Sequence, residues 1–467
     1  MLNSYQEIFD NQRRCFHDTL KFTPAKERRR KLKMYMEWVY SNKNEIRDAI
    51  YEDYKRPGTE VDVTEIKPTI GELKNAISNL DNWMRDEKVP TPLELFGTKS
   101  KIVYEPIGQS LILGPWNYPF MLTVGPLVSA IAAGNAVVIK PSELAPKTAK
   151  LISRMVMELF DPNEVTVVEG GVDVAQELLK LPFDHIFFTG GTEVGKLIMK
   201  SAADHLSKVT LELGGASPAI IDKSANLKDA AEKIVWGKFE NVGQRCLAPN
   251  HLYLHEEIAN DFIAELKKAL KKSYGDDFKK TPDLARISTL KHFFHVLNYK
   301  ETLINEGGEV VVGGDSEEES LYFAPTIIDG LNMNSFCTEE EVFGPVLGIV
   351  RYSNLDEVIK KINSLNKPLN IYVFTRRKNV SKKVSASTSS GSLCVNETTL
   401  TFIQPYLPFG GVNASGLGKA HGHAGFKAFS HGKAVLKQRI GLTTLKLVSP
   451  PYTKRVRWLI SFFTRYF

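Results

Sequence analysis

Short apolar runs alternate with amphipathic helical segments from Ser110 onward, and this alternation limits the fold more than any other feature. The apolar runs are SLIL, AVVIK, VTVVEGG, HIFFTGG and KVTLELGG, and the segments between them, such as TAKLISRMVMELF, carry apolar residues at helical spacing. Strands that alternate with helices predict a mostly parallel, doubly wound α/β sheet. Such sheets bind ligands outside the carboxyl ends of their strands, so we expect a site at that edge.

A second alternating series follows the first, and about 85 residues of helical pattern precede both. The second series begins at PAIID and continues through LKDAAEKIVWGKF, EVVVGG, VLGIVRY, NIYVFT and GSLCVN. At 467 residues the chain exceeds one ordinary hydrophobic core. The sequence therefore predicts two large α/β domains.

Composition excludes several classes of protein. Hydrophobic residues make up 43% of the chain and charged residues 24%, as in soluble globular proteins. No apolar run approaches the roughly 20 residues of a membrane span, and the polar N-terminus lacks the apolar core of a signal peptide. The four cysteines lack the spacing of a disulfide framework or a zinc site. We therefore expect a cytoplasmic protein with no metal and no nucleic-acid partner.

The turn GGTEVGK, at positions 190–196, has the glycine and lysine spacing of a P-loop. A P-loop needs Ser or Thr after the lysine to bind Mg²⁺, and here that position is Leu197, whose side chain has no oxygen. Leu197 therefore disfavours a P-loop nucleotide-binding protein, which stays the more remote alternative. The motif by itself leaves the ligand of the turn open.

Four polar residues lie at positions that suit catalysis. Cys246 begins a loop after a helical segment, and Glu212 lies inside an apolar strand that ends in two glycines. A carboxylate there is exposed, paired or protonated, or it is a general base beside a pocket. Asn117 follows the strand SLIL, where its amide is a turn device or an oxyanion donor, and Glu341 precedes a Gly-Pro turn. A lone cysteine is more often a small buried hydrophobe than a nucleophile. The functional interpretation of Cys246 therefore depends on the other three residues that occur with it.

Seven motifs in a fixed order carry a resemblance to a known family. They are GPWNYPF, KPSE, FTGGTEVGK, LELGG, WGKFENVGQRC, EEVFGP and LPFGGVNASGLG, spread from about residue 100 to 420. The sequence resembles the aldehyde dehydrogenase superfamily, most closely its class 3, fatty-aldehyde-type branch. The resemblance implies a Rossmann-type cofactor domain, a second α/β catalytic domain, a small oligomerisation flap, and NAD(P)-dependent oxidation of aldehydes to carboxylic acids. The family usually continues LELGG with lysine, whereas this chain has Ala216, which we expect to change a local contact only.

The resemblance also implies a role for each candidate residue. Cys246 would attack the aldehyde carbon, Asn117 and the Cys246 backbone N–H would hold the oxyanion, and Glu212 would activate the water that hydrolyses the thioester. Coenzyme contacts are implied for Trp116, Lys140, Glu143, Thr189, Gly190, Gly191, Val194, Glu341 and Phe343. Glu143 suits a ribose 2′-OH and repels a 2′-phosphate, or it merely charges the first turn of the next helix. Because the class 3 branch accepts both coenzymes, NAD and NADP both stay open.

The substrate and the second half of the reaction leave alternatives. We expect medium-chain or long-chain aliphatic aldehydes, or aromatic ones. Tyr118 and Trp236 resemble aromatic walls of the class 3 pocket, or they are ordinary packing. A CoA-acylating dehydrogenase would use the same thioester, but Glu212 favours hydrolysis. A non-enzymatic scaffold is disfavoured because Cys246, Glu212 and Asn117 occur together.

Domain limits and assembly follow from the same resemblance. We expect a dinucleotide-binding domain at 1–85 and 104–211 and a catalytic domain at 212–424. Residues 86–103 and 425–445 resemble the family's oligomerisation segments and imply a homodimer.

The last segment, 446–467, is a basic amphipathic tail. Ten lysines and arginines and no carboxylate follow Glu397, so the last 70 residues carry +10 in a chain of net charge +6. At 100° per residue, one helical face would hold Val456, Leu459, Ile460, Phe463 and Phe467. A cationic helix of this kind either makes peripheral contact with an anionic membrane or packs on the protein, and both stay open.

Overall fold

A computed structural model of the chain describes residues 2–441 and 443–466. The helices are α1 (Leu2–Asp18), α2 (Ala25–Ser41), α3 (Lys43–Tyr54), α4 (Gly58–Val61), α5 (Lys67–Trp83), α6 (Met121–Ala133), α7 (Pro146–Leu159), α8 (Val172–Leu179), α9 (Thr192–Ala203), α10 (Leu227–Phe239), α11 (Ala259–Tyr274), α12 (Leu290–Asn305), α13 (Leu355–Ser364), α14 (Lys378–Ser387), α15 (Gly422–Ala428) and α16 (Lys454–Tyr466). The strands are β1 (Glu87–Val89), β2 (Thr98–Pro106), β3 (Gln109–Leu113), β4 (Ala136–Lys140), β5 (Val165–Val167), β6 (His185–Thr189), β7 (Lys208–Glu212), β8 (Pro218–Ile221), β9 (His251–His255), β10 (Glu309–Val312), β11 (Ser316–Glu317), β12 (Tyr322–Phe323), β13 (Thr326–Leu331), β14 (Val346–Tyr352), β15 (Asn370–Phe374), β16 (Ser392–Val395), β17 (Gly416–Leu417) and β18 (Ser430–Gln438).

The first large sheet has the strand order β17-β7-β6-β3-β4-β5. Its five strands from residues 109–212 are parallel, so the predicted doubly wound sheet is confirmed. One hydrophobic core joins Leu32, Ile50 and Leu73 of the N-terminal helices to Val137 and Ile139 of β4. β17 closes one edge in antiparallel pairing with β7, although it lies about 200 residues further along the chain.

The second large sheet has the order β10-β13-β14-β9-β8-β15-β16, and only its edge strand β10 is antiparallel among the described pairs. Strands β9 and β13 occupy its interior, and the sequence analysis did not identify either. HLYLH carries a histidine at each end and TIIDGL contains Asp and Gly, so neither has the apolar run of its neighbours. Burial on both faces of the sheet explains why they are nevertheless strands.

The third sheet joins the two segments that were expected to mediate oligomerisation. β2 pairs with β18 in antiparallel register from Thr98↔Gln438 to Pro106↔Ser430, and β1 lies on the other side of β2. Within the described residues β18 pairs with no strand on its outer edge.

The C-terminal tail forms α16, as its pattern predicted. Val456, Leu459 and Phe463 are half-buried, whereas Trp458 is 65% exposed and stacks on Phe462 at 5.6 Å. Phe467, which completes the predicted apolar face, lies outside the described residues. No described helix has the length and hydropathy needed to cross a membrane.

Candidate active site

Cys246 lies on a loop that leaves α10 through a sharp turn. Asn241, Val242 and Gly243 have φ values of +49°, +47° and +73°, so the chain reverses within three residues. A Cβ at Gly243 would lie 2.3 Å from the carbonyl oxygen of Gly344, which restricts this position to glycine. Burial, and then the carboxylate of Glu341, raise the pKa of the Cys246 thiol to about 12, while Arg245 lowers it. The resting thiol is therefore protonated at neutral pH.

Asn117 follows β3 and is buried against the same loop. Its side-chain Nδ2 donates to the carbonyl oxygen of Gln244 at 3.1 Å, two residues before Cys246. Its own carbonyl oxygen accepts from Asn241 Nδ2 at 3.0 Å and from Arg56 Nη1 at 3.3 Å. These bonds fix an amide N–H donor next to the nucleophile loop.

Glu212 is the last residue of β7, between Thr189 of β6 and Gly416 of β17. Its side chain is buried, and neither carboxyl oxygen has a hydrogen-bond partner among the described residues. Burial raises the pKa of this carboxyl well above its usual value, and the Lys419 ammonium acts in the opposite direction. The group therefore holds a proton at pH values where an exposed glutamate has lost it.

Glu341 is a buried carboxyl whose charge acts on the Cys246 thiol. A Cβ at Gly214 would lie 2.1 Å from Glu341 Oε2, and the backbone N–H of Gly215 donates to the same carboxylate. Gly214 is therefore needed where the carboxylate approaches the backbone, and Gly215 has a φ of +149°, which favours glycine. Burial raises the pKa of Glu341 to about 8, opposed by Gly215 and by Lys238.

A single apolar cavity brings Cys246 and Glu212 together. Its remaining lining comes mainly from α6, from the 402–409 segment and from α15, and includes Met121, Leu122, Gly125, Pro126, Ser129, Leu369, Phe402, Phe409, Ala420, His421, Gly425 and Phe429. The cavity thus has a thiol and a carboxyl among side chains that are otherwise mostly hydrophobic. No motif in the sequence identified Gly125, Phe402 or His421, because their contribution depends on the docking of α6 and α15.

A buried charge cluster supports the two loops that carry Asn117 and Cys246. Arg56 bonds to Glu60 at 2.9 Å and to Glu65 at 2.8 Å, and Arg245 bonds to Glu240 at 2.8 Å. The sequence analysis missed this cluster, since positions 56 and 240 are far apart in the chain and neither lies in a recognisable charge pattern.

The two predicted aromatic wall residues lie away from the cavity lining. The Tyr118 hydroxyl donates to Glu240 at 2.7 Å, and the Arg56 guanidinium lies 4.4 Å from the Tyr118 ring centroid. Trp236 is 43% exposed on α10. Tyr118 therefore packs in the charge cluster behind Asn117, which matches the packing alternative for this residue.

The predicted coenzyme residues gather at the carboxyl ends of β4 and β6, which flank β3. Lys140 ends β4, and its Nζ lies 2.6 Å from Glu143 Oε2. β6 ends at Thr189, and Gly190 and Gly191 lead into α9, whose N-cap has no side-chain hydrogen bond.

The geometry at α9 fits the phosphates of a dinucleotide. A Cβ at Gly191 would have no atom within 4 Å, so the helix N-terminus faces open space. Val194, on the first turn, is 49% exposed and offers an apolar surface beside it. Lys196 instead pairs with Glu193 at 2.6 Å on the exposed side of the helix, and Leu197 is 62% exposed.

Trp116 and Phe343 meet in an aromatic cluster beside the nucleophile loop. Their ring centroids are 5.4 Å apart, and His292 lies 5.3 Å from Trp116. Phe343 has a φ of +49°, and its carbonyl oxygen lies 2.8 Å from His292 Nε2. The sequence analysis did not identify His292, which no motif marks.

These features together define a class of protein. A dinucleotide-type parallel sheet joins a second α/β domain, and a thiol and a carboxyl lie in an apolar cavity where the two meet. This is the arrangement of an oxidoreductase that uses a nicotinamide coenzyme.

Comparison with known proteins identifies the family. The profile of the aldehyde dehydrogenase family matches residues 3–435. The chain is 40% identical over 459 residues to a 4,4'-diaponeurosporen-aldehyde dehydrogenase of Staphylococcus aureus. This alignment covers 98% of this chain and 98% of the relative. It is 40% identical over 435 residues to a mouse "aldehyde dehydrogenase, dimeric NADP-preferring", covering 93% of this chain and 95% of the relative. A structure of the substrate-bound state of Staphylococcus aureus AldH superposes with a TM-score of 0.93 at 39% identity, covering 98% of this chain and 99% of that one.

The chain belongs to the aldehyde dehydrogenase family. It is an NAD(P)-dependent enzyme that oxidises aldehydes to carboxylic acids, as its motifs predicted.

Proposed function

We propose that Cys246, Asn117 and Glu212 are the catalytic residues of this dehydrogenase. One observation carries the proposal: Cys246 and Glu212 line the same apolar cavity, and the Asn117 amide is bonded to the loop that carries the thiol. Since an apolar cavity strengthens electrostatic interactions, a nucleophile, a base and an oxyanion donor suffice there for acyl chemistry.

Covalent attack begins at the sulfur. Cys246 gives its proton to water, the resulting thiolate attacks the aldehyde carbon, and the C=O π electrons move to the carbonyl oxygen, which becomes an oxyanion. Asn117 Nδ2 exchanges its present bond to the Gln244 carbonyl for this oxygen, and the Cys246 backbone N–H is the second donor. A bound nicotinamide coenzyme would supply the hydride acceptor for this intermediate, and Cys246 would then carry the acyl group as a thioester.

Hydrolysis of that thioester is assigned to Glu212. Its carboxylate takes a proton from water, and the water oxygen attacks the thioester carbon. Cys246 leaves as thiolate, and the carboxylic acid is released. A base poised in this way favours hydrolysis over transfer of the acyl group to CoA.

Coenzyme binding is assigned to the carboxyl ends of β4 and β6. Lys140 and Glu143 would hold the adenosine ribose, and the residues from Thr189 to Val194 would hold the phosphates at the N-terminus of α9. Trp116, Glu341 and Phe343 would contact the nicotinamide end. Glu143 already forms an ion pair with Lys140. A ribose hydroxyl or a phosphate that binds there would therefore lie next to both a carboxylate and an ammonium group.

The lining of the cavity supports apolar aldehydes as substrates. Met121, Leu122, Phe402 and Phe409 cover it with aliphatic and aromatic carbon. Each methylene that such a wall removes from water contributes about 0.8 kcal/mol, so an alkyl chain or an aromatic ring binds there in preference to a polar substrate.

Two substitutions test the catalytic assignment. Cys246→Ser should abolish aldehyde oxidation and leave coenzyme binding, measured by fluorescence titration, near that of the parent enzyme. Glu212→Gln should leave the first turnover intact and slow the later ones, so that stopped-flow absorbance records a burst of reduced coenzyme. Cys394→Ser is the matched control, since Cys394 is a half-buried thiol on β16. Full activity of Cys246→Ser, or loss of the first turnover in Glu212→Gln, would refute the corresponding role.

A homodimer formed through β18 is part of the proposal. From His431 to Lys437, β18 pairs with no strand on its outer edge within the described chain, and long open edges recruit another strand. Leu436 is 54% exposed on this strand. Sedimentation equilibrium at micromolar concentration should give a dimer for the parent enzyme and a monomer for Leu436→Glu. Leu206→Glu, at a residue 92% exposed outside this sheet, should stay dimeric. A monomeric parent enzyme would contradict the proposal.

Peripheral contact of α16 with an anionic membrane is the last part. The helix carries Lys454, Arg455, Arg457 and Arg465, and Trp458 and Ile460 are exposed on it. Each cation close to an anionic bilayer contributes about 1 kcal/mol, and exposed aromatic side chains insert at the interface. Apolar aldehydes partition into the same bilayer, which places the enzyme next to its substrate.

Co-sedimentation with phosphatidylserine-containing vesicles tests this contact. The full chain should pellet at low salt and be released at high salt, whereas a chain that ends at Tyr452 should stay in the supernatant. Trp458→Ser separates insertion from charge, since it keeps every cation. Equal pelleting of the full and shortened chains would show that α16 does not bind the membrane.

A further inference from the structure

Lys419 is held in one conformation by two backbone carbonyls of a segment that borders the active-site cavity. Its Nζ donates to the carbonyl oxygen of Gly410 at 2.5 Å and to that of Gly411 at 3.2 Å. Both carbonyls belong to the segment LPFGG, whose Phe409 lines the cavity. The ammonium is therefore held at one place beside the cavity instead of moving freely in solvent.

The same glycine that binds Lys419 also contacts Glu212. A Cβ at Gly410 would lie 2.9 Å from Glu212 Oε1 and 3.1 Å from Lys419 Cδ. The carboxyl and the lysine stem thus both approach the space beside one residue, whose φ of +145° suits glycine. Any larger residue at 410 would separate the two side chains or displace them.

The described surroundings of Glu212 do little to stabilise its ionised form. Neither of its oxygens has a hydrogen-bond partner within the described chain. The other titratable groups that line the cavity are Cys246 and His421, and Glu341 acts electrostatically on the Cys246 thiol. His421 Nδ1 lies 3.0 Å from Glu72 Oε1, so its ring already faces a carboxylate of its own. Of the groups described around Glu212, Lys419 is the cation that lowers the pKa of this carboxyl.

We propose that Lys419 is a positioning residue for the hydrolytic step, whose fixed ammonium stabilises the Glu212 carboxylate that takes a proton from water. This inference rests on the proposed role of Glu212 as the base. It assigns to Lys419 no contact with the aldehyde or the coenzyme. Lys419 acts only through the charge that it places near Glu212, so the step before hydrolysis does not depend on it.

The expected consequence is a displaced pH profile. Without the ammonium, burial acts on Glu212 unopposed, so the carboxyl keeps its proton to higher pH. The acid limb of the kcat profile should therefore move to higher pH, while the rate of the first hydride transfer stays unchanged. A role of Lys419 in merely holding the LPFGG segment would lower kcat equally at all pH values.

The test compares Lys419→Met, Lys419→Arg and Glu212→Gln with hexanal as substrate. Steady-state kcat and the pre-steady-state burst of reduced coenzyme are measured from pH 6 to pH 9. Lys419→Met should shift the acid limb upward by about one pH unit, which is about a tenfold loss of kcat on that limb, and it should enlarge the burst. Lys419→Arg should restore the limb. Lys367→Met is the matched control, because Lys367 is exposed and bonds to Asn413 in the same 410–419 segment.

The outcomes separate the inference from the assignment on which it rests. If Glu212→Gln keeps the acid limb, Glu212 is not the base, and the proposed function fails. If Glu212→Gln removes the limb but Lys419→Met leaves it within about 0.2 pH units of the parent enzyme, only the role of Lys419 is refuted. A uniform loss of kcat in Lys419→Met, without a shift, refutes it equally.

Discussion

Gly125 controls how long an aldehyde chain the active site accepts, if the cavity beside Cys246 is the substrate site. The residue lies in α6, is buried, and lines the cavity. A Cβ there would meet only the flexible end of Met121, at 3.3 Å from Cε, so a larger side chain can enter without a backbone clash. Replacement by leucine should therefore fill the space that an alkyl chain would occupy.

The size of the effect follows from the volume exchanged. A leucine side chain displaces about four methylenes of substrate, and each contributes about 0.8 kcal/mol of transfer free energy. The loss of about 3 kcal/mol corresponds to about 200-fold in kcat/KM for a long chain such as dodecanal. Propanal does not reach the displaced region, so its kcat/KM should change by less than about twofold.

Steady-state kinetics across straight-chain aldehydes from propanal to dodecanal measures this difference. Gly71→Leu is the matched control, since Gly71 lies in α5 and a Cβ there has no neighbour within 4 Å. The control should leave the dependence on chain length unchanged. An equal loss for propanal and dodecanal in Gly125→Leu would refute the argument, because it would indicate damage to the catalytic residues instead of a shorter cavity.

Three further predictions concern stability and reactivity. Arg56→Met removes the cation that pairs with the buried Glu60 and Glu65, and it should lower the free energy of unfolding in urea by about 3–5 kcal/mol. As a control, Arg29→Met breaks the exposed pair with Asp81 and should cost less than about 1 kcal/mol. Burial raises the pKa of Asp222, but hydrogen bonds led by Arg377 lower it to about 2 from 3.8. This folded-state pKa is depressed, and Arg377 is 43% exposed, so Asp222→Asn should lower the free energy of unfolding at pH 7 by about 1–2 kcal/mol. The difference between the two proteins should shrink as pH falls from about 4 towards about 2. A difference that stays constant over this range would contradict the prediction. Because the pKa of the Cys246 thiol is raised to about 12, its alkylation by iodoacetamide in the resting enzyme should accelerate about tenfold per pH unit between pH 7 and pH 9, and a plateau near pH 8 would refute the raised pKa.

Local sequence patterns were sufficient for most of the fold. Apolar runs of strand length and amphipathic segments between them predicted the parallel strands β3 to β8 and the helices α7 and α8, because those patterns involve neighbours in the chain. Strands β9 and β13, whose polar residues weaken the pattern, were not predicted, and neither were β2 and β18. β17 was also unpredicted, since a two-residue strand exists only through the partner strand that it meets.

The candidate site also has a part that the sequence predicted and a part that only the structure shows. Cys246, Glu212, Asn117 and the turn before α9 were identified from the sequence, since each occurs within a motif or at a strand end. The assignments of their roles, the domain limits, the dimer and the membrane contact remain predictions. The motifs gave no account of how Glu212 is surrounded or which residues shape the cavity.

By itself, the sequence determined that the chain folds as two α/β units with a nucleotide-type turn, a cysteine loop and a strand-end glutamate. The tertiary structure alone decided that Tyr118 bonds to Glu240, that Arg56 supports the Asn117 loop, and that Lys419 and Glu212 both approach Gly410. The physical reason is the range of the interactions. Strand and helix formation depends on residues a few positions apart, whereas burial and the fields of buried charges depend on groups that only the packed chain brings together.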